Sequence, residues 1–241
     1  MKLKSFHAAV TDQLAAMAIR GDEGAGLQLP TEPDLCASLG VSRTILREAV
    51  KTLCAKGMLV TGPRTGTRML PPSSWNLLDP DVIRWRLAAG VDESFVRDIL
   101  ELRLAIEPDA AALAAKRSSS EGIARLRAAY EAMEAAVTCG GGYLEADLAF
   151  HAIILDLTGN QFFVALTPAI DALLRVSFRF SVKSRERARS SLPVHKAVVD
   201  FIEARDPKGA ENAIHLLIEK ARRDIESDMS PDDFLFRKEG A

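Results

Sequence analysis

Cysteine and long apolar runs are both scarce in this sequence of 241 residues, and each scarcity excludes a class of protein. The three cysteines, Cys36, Cys54 and Cys139, form no Cys-x-x-Cys pair, which argues against a disulfide framework or a thiolate metal centre. No apolar run reaches about 18 residues, so we predict no transmembrane helix, and no signal peptide begins the chain. These absences predict a cytoplasmic protein without a membrane partner.

Charge is unevenly distributed along the chain. The net charge is only −2, yet residues 41–70 carry six basic residues and a single acidic one, Glu48. A local excess of positive charge is an electrostatic footprint for phosphate groups. Charge alone fits a solvated surface equally well, so the residue pattern must decide between the two.

The basic segment has the pattern of a helix-turn-helix. Apolar residues recur at helical spacing on both sides of Gly40, where a sharp turn needs a small residue. Ser42 is a good N-cap for the second helix, whose first turns carry Arg43, Thr44 and Arg47. The N-terminal end of that helix is where this motif contacts base edges, so these three residues are predicted DNA contacts.

A β-hairpin is predicted after the second helix, with strands over 58–60 and 67–70. Arg64 lies at its tip between Gly62 and Gly66, an arrangement that lets the backbone and the arginine approach DNA closely. The segment is therefore interpreted as a winged helix-turn-helix.

The rest of the chain is predicted to be helical. A linker and connector over 72–91 holds Trp75 and Trp85, which we expect to dock on a domain rather than stack on bases. The fold class is mainly α, with an all-α bundle of six to seven helices after the connector. The predicted domains are the winged helix-turn-helix over 1–71, the connector over 72–91, the bundle over 92–230 and a tail over 231–241.

Prolines set three expectations within the bundle. Pro168 is expected to bend a helix that runs from Gln161 to Arg189, and Pro193 to begin the next helix. Pro108, directly after Glu107, lies within a predicted helix and is expected to bend it around a cavity.

A candidate metal site lies in the bundle. Asp147 and His151 share a helix face, and His195 lies two elements later. Such a set suits Zn²⁺ or another divalent cation, although histidines of this kind are more often ordinary polar residues of a core. The position opposite His195 across a predicted helical hairpin is Leu217, and His215 is rotated away by about 200°. At most three protein ligands are therefore expected.

Arginines supply candidate contacts for an anionic ligand. Arg103 and Glu107 are four residues apart, which indicates either an ion pair on a solvated face or a buried arginine that binds a carboxylate ligand. Further candidates of the same kind are Arg175, Arg179, Asn160, Ser177 and Lys183.

Motifs along nearly the whole chain carry a family resemblance. The segment LPTEPDLCASLGVSRTILREAVKTLCAKGML is followed, in order, by RLAIEP, DLAFH, LTGN and VHKAVVDFIEARDP. These motifs resemble the GntR family of bacterial transcription regulators, in its FadR-like subfamily with an FCD ligand domain. The resemblance implies DNA contacts at Arg43, Thr44 and Arg47, and a wing contact near Arg64 to Gly66. Pro33 stands where family members often carry a DNA-contacting arginine, so that contact is expected to be missing.

The resemblance also implies a metal and an effector. Metal-binding members use an Asp and three His; Asp147, His151 and His195 match three of these, while Leu217 replaces the last histidine. Members bind small carboxylates there, with an arginine matching Arg103 near the acid. A closer likeness to repressors of sugar-acid operons includes the connector WNLLDPDVIRWRL and implies an effector such as galactonate or a related aldonate.

The expected function is a homodimeric repressor that binds a palindromic DNA operator and is released by a small carboxylate. The predicted effector contacts are Arg103, Asp147, His151, Arg175 and His195. Two alternatives are the same regulator with another hydroxy acid or acyl ligand, and a metal-dependent enzyme. The enzyme alternative lacks an obvious general base.

Overall fold

The chain forms two compact units, Met1–Gly90 and Val91–Ala241. This description comes from a computed structural model. It covers residues 6–20, 27–62, 66–90, 93–181 and 185–228. Among these residues no helix has both the length and the apolar character needed to cross a membrane. Three predictions fall outside the described ranges: Arg64 at the wing tip, Lys183 and the tail over 231–241.

The first unit has the order α-α-α-β-β-α. Its elements are α1 (Phe6–Arg20), α2 (Glu32–Leu39), α3 (Arg43–Ala55), β1 (Leu59–Gly62), β2 (Gly66–Met69) and α4 (Pro80–Ala89). The two strands pair antiparallel, with Leu59 opposite Met69 and Gly62 opposite Gly66. The predicted helix-turn-helix and hairpin are thus present, and the hairpin strands differ from the prediction by one or two residues at their ends.

Local sequence explains the turn between α2 and α3. Gly40 adopts a left-handed φ of 64°, which a residue without a Cβ does at little cost, and its N–H donates to the Cys36 carbonyl. The Ser42 hydroxyl accepts from the N–H of Ile45 and caps α3, as predicted. One face of α3 is buried in the core of the unit, and the other is left in solvent.

The connector is part of the first unit. Trp75 and Trp85 are buried in the same apolar cluster as the helices of the winged motif. The Trp85 indole donates to Asp12 at 2.6 Å, and Lys56 at the end of α3 donates to Asp79 at 2.7 Å. The predicted docking of both tryptophans on a domain is confirmed.

The second unit contains only helices among its described residues. They are α5 (Glu93–Arg117), α6 (Ser120–Cys139), α7 (Tyr143–Leu157), α8 (Gln161–Ala165), α9 (Thr167–Ser181), α10 (Arg185–Glu203) and α11 (Pro207–Asp228). Helix α5 packs against α7, α10 and α11, and α9 packs against α7 and α11. The bundle therefore agrees with the predicted six to seven helices.

Two of the expected helices have the wrong bounds. The helix expected over 161–189 is divided among α8, α9 and the start of α10, and Pro168 lies in the first turn of α9, where its missing N–H costs no intrahelical bond. Pro193 lies inside α10 rather than at its start. The carbonyl that loses its partner there belongs to Arg189, an exposed residue, so water can replace the bond.

Candidate functional site

A small cavity lies among α5, α7, α9, α10 and α11 of the second unit. Its lining includes Arg103, Asp147, His151, Ser177 and His195. Water can occupy about 50 Å³ of it, which is room for a few molecules. The structure thus brings together four of the five predicted effector residues.

Asp147 is the centre of the polar cluster in this cavity. Its Oδ1 lies 3.0 Å from Nε2 of His195 and 4.0 Å from Nε2 of His151. All three side chains are buried, and their donor atoms lie within 4.8 Å of one another. Burial alone would raise the pKa of the Asp147 carboxyl, but the hydrogen bond from His195 and the charges of both histidines lower it.

Both histidines are held through the ring nitrogen that faces away from Asp147. His195 Nδ1 lies 2.9 Å from the Ser191 carbonyl, which can only accept, so this nitrogen carries a proton. His151 Nδ1 lies 2.7 Å from Oε2 of Glu107. The two Nε2 atoms are therefore the ones directed at Asp147. A carboxylate or carbonyl behind each imidazole is the arrangement that orients histidine ligands of metals.

This donor set fits a divalent cation. Two imidazole nitrogens and a carboxylate oxygen are the ligand types that Zn²⁺ accepts, and three protein ligands leave a coordination place for another molecule. Because His195 Nδ1 donates to the Ser191 carbonyl, Nε2 is the nitrogen of that ring that could coordinate a cation beside Asp147. Leu217 lines the cavity and His215 is exposed, as the hairpin geometry predicted.

Arg103 and Glu107 form a buried pair rather than a solvated one. Arg103 donates through Nε at 2.6 Å and through Nη2 at 3.4 Å, and each side chain is only 3 % exposed. Burial would raise the pKa of Glu107, but the charges of Arg103 and His151 outweigh it and lower that pKa to about 2. Glu107 thus supports both Arg103 and His151. The four-residue spacing predicts its pairing with Arg103 but not its contact with His151.

Ser177 presents a polar atom with no partner to this cavity. Its Oγ is the one buried side-chain oxygen or nitrogen of the described residues without a hydrogen bond. An unpaired buried hydroxyl is costly unless a ligand or water completes it. A water molecule or a polar ligand in the cavity would complete this hydroxyl.

Other predicted effector residues lie elsewhere. Arg175 is exposed and pairs with Asp171 at 3.0 Å and Glu145 at 3.1 Å, so the structure does not bring it to the cavity. Arg179 is also exposed, and Asn160 caps α8. Ser177 is two residues from each of these arginines on the same helix, which places it on the opposite face, and that face lines the cavity.

A second candidate site is the exposed end of α3. Arg43, Thr44 and Arg47 are all exposed, and Arg47 shares a surface groove with Gly66 of the hairpin. Gly66 has a φ of 66°, a left-handed backbone that favours glycine. Glu32 of α2 pairs with Arg47 at 2.9 Å. The described DNA-contact candidates therefore lie at the end of α3 and beside the groove.

Comparison with known proteins agrees with both units. The model of the bacterial regulatory proteins of the gntR family matches residues 6–69, and that of the FCD domain matches residues 98–220. The uncharacterized HTH-type transcriptional regulator YieP of Escherichia coli (strain K12) is 32 % identical over 217 residues, covering 89 % of this chain and 93 % of YieP. The galactonate operon transcriptional repressor of the same strain is 31 % identical over 211 residues, covering 87 % of this chain and 92 % of the repressor.

A solved structure shares this fold. A chain described as Streptococcus agalactiae GntR superposes with a TM-score of 0.51 at 25 % identity, covering 90 % of this chain and 99 % of that one. The matching families and relatives are transcription regulators, which excludes the alternative of a metal-dependent enzyme. The chain therefore belongs to the FadR-like gntR family of bacterial transcription regulators, with an FCD domain in its second unit.

Proposed function

We propose that this regulator is a homodimeric repressor of a sugar-acid operon, released from a palindromic operator by an aldonate such as galactonate. The observation that carries the effector part is the cavity beside the buried Arg103, with the unpartnered Ser177 hydroxyl on its wall. A buried cationic side chain and an unpaired hydroxyl suit a ligand with one carboxylate and several hydroxyl groups. The 31 % identity to a galactonate operon repressor supports the same ligand class.

On the DNA side, the N-terminal end of α3 is proposed to enter the major groove. Arg43, Thr44 and Arg47 would contact base edges and phosphates there, and the wing with Arg64 and Gly66 would contact the adjacent minor groove. In a symmetric dimer, two such helices bind half-sites that are related by a two-fold axis.

Within the cavity, Asp147, His151 and His195 would hold a divalent cation. When bound, the cation would supply positive charge for the oxygens of the effector. Glu107 fixes the orientations of Arg103 and His151, and the Ser191 carbonyl fixes that of His195.

The cavity has room for only a few water molecules, so binding of a sugar acid is proposed to enlarge it. Lys220 and Asp224 line the cavity as a partly exposed ion pair with a distance of 2.6 Å. Opening this pair is the proposed route of entry. An effector that prefers the opened bundle would thereby shift the population of the regulator.

The test combines an effector screen with an operator-binding assay. Aldonates, uronates and short hydroxy acids are added to the protein with and without Zn²⁺, and thermal unfolding is recorded. A ligand at 100 times its Kd is expected to add about 2.7 kcal/mol of stability. Stabilisation by short hydroxy acids but not by aldonates or uronates would contradict the sugar-acid assignment. Metal analysis of protein purified without added metal tests the cation.

In the operator assay, Arg47→Ala is expected to weaken specific binding at least tenfold, which is roughly the contribution of one base contact to the affinity. Its effector affinity is expected to be unchanged. Arg20→Ala is the matched control, because Arg20 is an exposed arginine of the same unit at the end of α1. Full operator affinity of Arg47→Ala in a gel shift would overturn the assignment of α3.

A further inference from the structure

Glu32 lies between the two arginines at the start of α3. Its Oε2 accepts from Nε of Arg47 at 2.9 Å, and its Oε1 lies 3.7 Å from Nε of Arg43. Glu32 is the first residue of α2, so this carboxylate joins the two helices of the helix-turn-helix on their solvent side.

The start of α3 needs this negative charge. Arg43 and Arg47 are four residues apart, where like charges repel, and α3 has no acidic residue in its first turn. A helix N-terminus favours negative charge, so arginines there oppose the helix dipole. The hydrogen bond from Arg47 is the largest influence on the pKa of the Glu32 carboxyl and lowers it; burial opposes this, and the charges of Arg47 and Arg43 lower the pKa further. Glu32 is therefore ionised at neutral pH.

Both contacts use the Nε atom of the arginine. A guanidinium has two further nitrogens, Nη1 and Nη2, which form the edge that binds O6 and N7 of guanine. Glu32 occupies Nε of Arg47 and not Nη1 or Nη2, and the Arg47 side chain is 69 % exposed. Glu32 restrains each arginine without using the atoms that recognise a base.

We propose that Glu32 is a positioning residue for DNA recognition, which holds Arg47 and Arg43 in place for base edges and disfavours their use on phosphates. Long exposed arginines lose rotamer freedom on binding, and a side chain already held by Glu32 loses less. The carboxylate also repels phosphate groups, which reduces sequence-independent binding. This inference rests on the proposed role of α3.

Glu32→Gln tests the inference, with Glu48→Gln as the matched control. Glu48 is exposed on α3 next to Arg47, and each variant removes one negative charge from the same unit. Dissociation constants are measured for the operator and for an unrelated duplex at one salt concentration. Glu48→Gln is expected to strengthen binding to both duplexes and to leave the ratio of operator affinity to unrelated-duplex affinity unchanged. Glu32→Gln is expected to lower that ratio about tenfold, which is part of the discrimination that one bidentate base contact provides.

Glu32→Ala, which removes the acceptor altogether, is expected to lower the ratio at least as far. Equal ratios for the Glu32 and Glu48 variants would overturn the inference. Failure of the proposed function is distinguishable from failure of this inference, because in that case Arg47→Ala itself would keep full operator affinity. Circular dichroism of each variant establishes that the fold is retained.

Discussion

Glu107 holds two side chains of the proposed effector cavity at once. It pairs with Arg103 of its own helix and with His151 of α7, and all three are buried. A buried charge without a partner is far more costly than an exposed one. The arginine and the histidine therefore depend on this carboxylate for both their charge balance and their orientation.

Glu107→Gln is expected to destabilise the second unit by about 3–5 kcal/mol, the usual cost of breaking a buried ion pair from one side. Urea unfolding measures the loss. The control is Glu145→Gln, which breaks the exposed pair with Arg175 and is expected to cost about 0–1 kcal/mol. Equal stabilities of the two variants would show that Arg103 finds another partner.

For single residues, spacing within one helix correctly predicts which polar side chains of the cavity lie together. The pairs Arg103–Glu107 and Asp147–His151 were predicted because residues four apart share a helix face. The contact of Glu107 with His151 joins α5 to α7, and it depends on how those helices pack, which one sequence does not specify. Ser177 was likewise one of several candidate ligand contacts in the sequence, because its place on the cavity wall depends on how the bundle helices pack.

Among the elements, the end of α3 and the connector are joined by a close backbone approach. Gly57 follows α3 with a φ of 74°, and a Cβ at this position would lie 2.2 Å from the Ser74 carbonyl oxygen. Lys56 reinforces the contact by pairing with Asp79, the N-cap of α4. The connector therefore stabilises the helix that carries the DNA-contact candidates.

Gly57→Ala is expected to destabilise the first unit, and Gly40→Ala is its control. Both glycines have left-handed backbones, but nothing lies within 4 Å of a Cβ at Gly40. Gly40→Ala should cost about 1–2 kcal/mol for the backbone alone. Gly57→Ala should cost about 1–3 kcal/mol more because of overpacking. Thermal unfolding compares the two, and equal costs would contradict the close approach.

Element types were more predictable than element boundaries. Ser42 and Asp79 act as the N-caps that their side chains favour, because capping is a local interaction. Prolines were ambiguous: Pro168 lies in the first turn of a helix, whereas Pro108 and Pro193 lie inside theirs. Whether a helix continues through proline depends on the tertiary contacts that stabilise both sides.

For the whole molecule, the proposed two-fold symmetry makes a prediction about the operator. Selection from a random duplex pool with the full chain is expected to return an inverted repeat whose half-sites lie about one helical turn apart. Sedimentation of the free protein should give the mass of a dimer. Recovery of a single half-site, or a monomer in solution, would contradict the homodimeric proposal. Arg47→Ala is the control for the selection and is expected to enrich no sequence.

The burial of both tryptophans gives the molecule a built-in optical reporter. Trp75 and Trp85 are the only tryptophans of the chain, and both lie in the core of the first unit, with Trp85 beneath the cations of Lys56 and Arg84. Fluorescence excited at the red edge of protein absorption therefore originates from the DNA-binding unit alone. A sugar acid added to the protein that changes this emission would report communication from the FCD domain, without any attached dye.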